Sequence, residues 1–204
     1  MQTEFAKLGF NKSEILNATE ATLSLAAATG TELADAAAVA GATMGGFGLK
    51  ADETQRVVDV MAQAFSKSAL DMEKFRESMK TAAPAATAVG VSIEDTTALL
   101  GTMSKAGISG SKAGTALKNT FIELAKKGID LEDAYDRVTN SAVPLTAAVD
   151  LVGKIAAPAF LVLARGQTTT DNLTESLKNA GGAAKRMADT QLDTLSGSIK
   201  ILDS

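Results

Sequence analysis

Residues 107–115, GISGSKAGT, come nearest to a chemical site in this chain. Gly107, Gly110 and Gly114 surround Ser111 and Lys112, much as a loop that cradles phosphate would require. The spacing fails for that chemistry. A nucleotide loop needs Lys followed by Ser or Thr directly after its second glycine. Here Ser111 intervenes, and Ala113 follows Lys112. No strand is expected before it either. A mechanical reading fits better: one helix ends at Gly107, a tight connector follows, Ser111 caps the next helix, and Gly114 admits a neighbouring helix. Gly107, Gly110, Ser111 and Gly114 are therefore the candidate helix-packing or interaction motif.

The remaining chemistry-bearing residues point away from catalysis. Asp52, Glu53, Glu94, Asp95, Glu132 and Asp133 fall at expected helix starts, where the helix dipole favours negative charge. The chain has no Cys and no His, which removes thiolate and disulfide chemistry, the commonest general base and the commonest metal ligand. With no Trp and one Tyr there is little to line a sugar cleft between two carboxylates. The expectation is no catalytic residue, no cofactor and no metal site. Net charge is −4, and Lys and Arg are not gathered on one face, so no sequence-specific nucleic-acid partner is expected.

The elements that position these residues read as helices throughout. Alanine, the best helix former, occurs 38 times. A punctuation mark recurs, glycine followed by an apolar residue: Gly9-Phe10, Gly48-Leu49, Gly90-Val91, Gly107-Ile108 and Gly128-Ile129. Glycine ends a helix in the left-handed conformation, the apolar residue folds back on the last turn, and acids open the next helix, except after Gly107-Ile108, where Lys112 follows. Asn11 with Glu14, and Ser92 with Asp95, have capping-box spacing. Between the marks the period is helical, as in Ala113, Ala116, Leu117, Phe121 and Leu124, with Thr120 on the same stripe. No run alternates at period two.

This predicts helices over 12–28, 32–45, 52–66, 70–82, 84–89, 92–106, 111–127, 131–139, 143–165 and 170–202. Pro158 is expected to kink its helix, and Gly181-Gly182 and Gly197 to interrupt the last one. The fold class is all-α: an antiparallel multi-helix bundle of short Ala-rich helices over residues 1–139, with a looser helical arm over 140–204. The two halves echo one another weakly, Gly9 and Gly48 against Gly90 and Gly128, which leaves a duplicated module open. The most apolar run, 155–164, is too short to span a bilayer.

The ordered set of segments resembles the core region of the phage tail tape measure proteins. It is carried by Leu8-Gly9-Phe10 with Glu14-Ile15, LSLAAATGTELADAA at 23–37, FGLKADE at 47–53 and, most specifically, AGISGSKAGTALKNTFIEL at 106–124. Met187, Gln191, Thr194, Leu195 and Gly197 resemble the end of that region, whereas 132–165 match poorly. Family members continue upstream, so the expectation is a fragment of a longer chain.

The resemblance implies a structural protein, not an enzyme, that sets tail length, fills the tail tube lumen and is released before DNA ejection. Its implied partners are the tail tube protein, tail assembly chaperones and tail tip proteins, with several copies of the chain in one tail. Its implied location is the virion tail, and the host cytoplasm during assembly. The alternative is a membrane-interacting helical protein of genome delivery, inserting 143–165, although that stretch lacks the basic face of an interfacial helix.

Overall fold

The computed structural model describes residues 5–6 and 9–202, with side chains to residue 194. From residue 12 on, ten α-helices follow one another among the described residues: α1 Lys12–Thr29, α2 Leu33–Phe47, α3 Thr54–Lys67, α4 Met72–Ala88, α5 Ile93–Lys105, α6 Gly110–Lys127, α7 Leu131–Thr139, α8 Pro144–Arg165, α9 Gln167–Lys178 and α10 Ala183–Leu202. No strand occurs among the described residues.

Each punctuation mark ends a turn in the same way. The apolar residue after the glycine donates its N–H to the carbonyl five positions back: Phe10 to Phe5, Leu49 to Met44, Val91 to Ala86, Ile108 to Met103 and Ile129 to Leu124. The intervening glycines have φ between 64° and 83°, and the apolar residues lie against the core. This is the Schellman closure, in which the carbonyls left over by the last helical turn are satisfied. Both predicted caps form. Asn11 accepts from Ser13 and Glu14 N–H while Glu14 accepts from Asn11 N–H, and Ser92 accepts from Asp95 N–H.

The short turns fold the chain into two hairpins, α1–α2 and α5–α6, with α3 and α4 between them in the chain. Helices α1 and α5 both lie on α3, and α2 and α6 both lie on α4. Helix α8 then covers α6 and carries α7 on it, α9 covers α3 and α5, and α10 lies across α1 and α3.

Several boundaries differ from the prediction. Helix α4 runs straight through Pro84. Pro84 is exposed, so water can reach the Lys80 carbonyl that lacks an amide donor. In α8 the break falls at Gly153 rather than Pro158, with φ 78° and ψ 164°, a conformation for glycine alone. The break frees the Leu151 carbonyl, which accepts Lys127 Nζ at 2.8 Å. Helix α10 continues through Gly197.

Ala148, Val152, Phe160, Leu163, Leu173, Leu177 and Ala184 belong to the same apolar cluster as Leu25, Met61, Phe75 and Leu117. The apolar face of α8 is wide enough to bury against α6 despite its break, and in α10 residues 189–194 are exposed.

Tyr135 packs on Phe160, ring centroids 5.2 Å apart, with its hydroxyl buried and without a partner. Burial pushes its ionisation far above the ordinary tyrosine range, and the charge of Asp171 adds to that. A buried hydroxyl without a hydrogen bond costs more than the phenyl hydrogen that would replace it. Tyr135→Phe is expected to raise stability by about 1 kcal/mol in urea unfolding. A loss of similar size would show that the hydroxyl is hydrogen-bonded in solution.

Candidate interaction surface

The GISGSKAGT segment joins α5 to α6. Gly107 closes α5 with φ 82°, and no atom would contact a Cβ placed there within 4 Å. Ser109, not Ser111, is the N-cap of α6, and its side chain makes no capping bond. Ser111 instead donates Oγ to Glu77 Oε2 of α4 at 3.0 Å. A carboxylate at that point repels phosphate, which disposes of the nucleotide-loop reading on electrostatic grounds. Gly110, φ 59°, lies over Glu77, whose Cβ is 3.8 Å from where a Gly110 Cβ would sit.

Gly114 is the closest approach of the four. A Cβ there would overlap the Ser78 carbonyl oxygen and Thr81 Oγ1, and would stand 2.8 Å from Ser78 Cα. Real Cβ atoms do not come that close to backbone. The α4–α6 contact therefore depends on a missing side chain, and α4 itself occupies the surface. Gly110, Ser111 and Gly114 face α4 together; Gly107 does not join them.

Sequence reasoning missed three further approaches of the same kind. A Cβ on Gly46 of α2 would lie 2.9 Å from Ala83 Cβ of α4. One on Gly101 of α5 would lie 2.6 Å from Leu173 Cδ2, and one on Gly166 3.0 Å from Thr102 Cγ2. Gly46 and Gly101 are glycines within a helical stripe, the signal that singled out Gly114. Helix α4 is thus gripped from both sides, by α2 through Gly46 and by α6 through Gly114.

The surface left open is apolar and divided. A cleft of about 540 Å³ between α6 and α8 is lined by Ile108, Lys112, Thr115, Ile155, Pro158 and Ala159, with Ile155 74% exposed. Another of about 560 Å³, where α4 and α6 end, is lined by Val89, Val91, Phe121, Ile129, Asp130 and Leu131. Leu16, Leu23, Val143 and Leu145 are also exposed. Among the described residues no group of three or more Asp or Glu is placed to hold a metal ion.

One charged contact is built rather than solvated. Arg56 of α3 donates Nε to Glu94 Oε1 at 2.6 Å and Nη2 to Oε2 at 2.8 Å, while its Nη1 reaches Glu53 Oε1 at 2.8 Å. The Glu94 side chain is 7% exposed. Burial alone would raise its pKa, but the Arg56 hydrogen bonds and charge outweigh burial and hold it below the ordinary range. This fork fixes the start of α5 on α3.

The described residues form a packed helical module with open apolar clefts. A sequence profile of the phage-related minor tail proteins matches residues 1–156. The chain belongs to that family. It is a phage tail protein with a structural role. It is 31% identical to the tape measure protein of Pneumococcus phage Dp-1, over 96% of this chain and 19% of that protein. It is 33% identical to the probable tape measure protein of Escherichia phage P2, over 60% of this chain and 15% of that protein. The chain thus spans a fifth or less of the relatives it matches. No solved structure matches it.

Proposed function

We propose that this minor tail protein is a helical section of a tape measure protein. The section contributes to the length that sets the tail, occupies the tail tube lumen, and leaves ahead of the DNA. The observation that carries this reading is the similarity along 96% of the chain to a tape measure protein. The all-helical fold is compatible with it, because a helix converts residue count into distance at about 1.5 Å per residue. The partners are the tail tube protein, assembly chaperones, tail tip proteins and further copies of the chain. They meet in the host cytoplasm during assembly and afterwards in the virion tail. The role is structural, with no catalytic step and no sequence-specific nucleic-acid contact.

The membrane reading is weaker. Helix α8 is the one helix among the described residues long and apolar enough to cross a bilayer, but half of its most apolar window is buried in the bundle, and Gly153 breaks it.

An in-frame deletion of residues 12–202 from the full-length gene tests the ruler. If the section lies in the tail as extended helix, tails should shorten by about 290 Å. If it stays folded, they should shorten by roughly the 40–45 Å width of a domain this size. Electron micrographs showing tails of unchanged length would overturn the reading for this section.

A further inference from the structure

We propose that α10 is a detachable strap that opens about Gly181–Gly182 while α1–α9 stay folded, with Asp59 as the latch that holds it shut. Asp59 lies in the middle of α3 and is 3% exposed. Its Oδ2 accepts the Gly182 N–H at 2.8 Å and its Oδ1 the Ala184 N–H at 3.0 Å, so it caps the first turn of a helix more than a hundred residues away. Among the described residues no basic side chain forms a salt bridge with it. A buried carboxylate held only by helix N-terminal amides is a poor choice for firm packing, since an apolar side chain there would carry no desolvation cost. It is a good choice for a releasable contact. When α10 leaves, water hydrates both the carboxylate and the amides, so most of what the bond gave is returned on opening.

Helix α10 lies across α1 and α3, but the side chains it is seen to bury there are small. Among the described residues of α10 the buried side chains are Ala183, Ala184 and Ala188, and residues 189–194 are exposed. A cleft of about 400 Å³ is left beneath it, lined by Ala28, Phe65, Leu70, Met72, Met187 and Gln191. The hinge is marked by Gly182 at φ 74°, and a Cβ on Gly181 would meet nothing within 4 Å. The preceding helix is anchored by contrast. Leu173 and Leu177 of α9 are buried. Gln63 donates to Ser176 at 2.8 Å, Thr170 to Thr102 at 2.9 Å, and Lys178 pairs with Asp95 at 3.2 Å. Opening therefore stops at the hinge, and it bares the apolar floor formed by Phe65, Leu70 and Met72.

Native-state hydrogen exchange on the full 204-residue chain tests this. The amides of residues 187–194 should exchange at least about tenfold faster than those of α4 and α6, with little dependence on added denaturant, as local opening requires. Asp59→Ala should speed residues 187–194 by a further factor of about ten, the loss of one to two hydrogen bonds to a charged group. Leu117→Ala, in the core of α6, should speed α4 and α6 but leave 187–194 unchanged, because both open and closed forms keep that core. Residues 187–194 exchanging with the same rate and denaturant slope as α4 and α6 would overturn the strap, and that measurement needs no variant. Asp59→Ala without effect on 187–194 would overturn the latch.

Discussion

Gly114→Leu is expected to destabilise this minor tail protein by about 3 kcal/mol, the upper end of what overpacking costs. Even Gly114→Ala should destabilise, by about 1–2 kcal/mol, although Ala is the better helix former by roughly 1 kcal/mol at a solvated position. The reason is the nature of the obstacle. The first atom added would strike the Ser78 carbonyl and Cα, which are backbone, and backbone in a helix cannot rotate away as a side chain can. Either α4 and α6 separate, opening the layer formed by Phe75, Met79, Leu117 and Phe121, or the helix distorts. Urea unfolding of the parent and both variants, read as a shift in midpoint at constant slope, measures the effect. An alanine variant as stable as the parent would show that α4 and α6 stand further apart in solution. Gly107→Ala is a useful contrast: it meets no neighbour, so its cost should arise from the left-handed backbone alone.

That contrast also marks what could be read from the sequence. The glycine–apolar marks were legible because the constraint is local: one residue must take positive φ and the next must fold back within five positions. The stripe on α6 was legible because burial repeats at the helical period. The break in α8 was placed at Pro158, since proline removes a donor wherever it stands. Whether that loss matters depends on which way the residue faces, and Pro158 and Pro84 are both exposed. Gly153 breaks the helix because Lys127, from another helix, stands ready for the freed carbonyl of Leu151, a contact no local pattern encodes. Residues 140–204 read from sequence as a looser arm because glycines and prolines interrupt them. Ala148, Phe160, Leu163 and Leu177 carry the apolar faces by which that stretch joins the core of the earlier helices. At the candidate motif, Gly114 was distinguishable by lying on a buried stripe, whereas Gly107 and Gly110 shared only its residue type. Asp59 carried no signal at all. A lone acid in a helix looks like a solvated one until the tertiary fold brings an N-terminus to it.

The second large effect is expected at the Arg56–Glu94 fork, and its size should depend on pH. Glu94 is the buried partner and Arg56 the half-exposed one, 46% open to solvent, so removing Arg56 strands a carboxylate in the interior with water able to reach it from one side only. Arg56→Ala should cost about 2 kcal/mol at neutral pH, less than for a fully buried pair because of that access. Glu94 in the folded parent titrates below the ordinary glutamate range, so its contribution is fully present above the unfolded value and is lost as pH falls through the folded one. In the variant burial is no longer outweighed, and the sign reverses: Glu94 should titrate above its ordinary value, and acidification should relieve the buried charge. Parent and variant stabilities should therefore converge as pH falls below the glutamate range, the parent losing stability while the variant recovers it. Urea midpoints for both proteins between neutral pH and pH 3 measure this. A stability difference that stays constant across the range would mean that Arg56 acts by packing its aliphatic stem and not by holding the carboxylate. Glu94→Gln supplies the complementary check, because a neutral amide needs no counter-charge. In that background Arg56→Ala should have a small effect at every pH, as a double-mutant cycle would show.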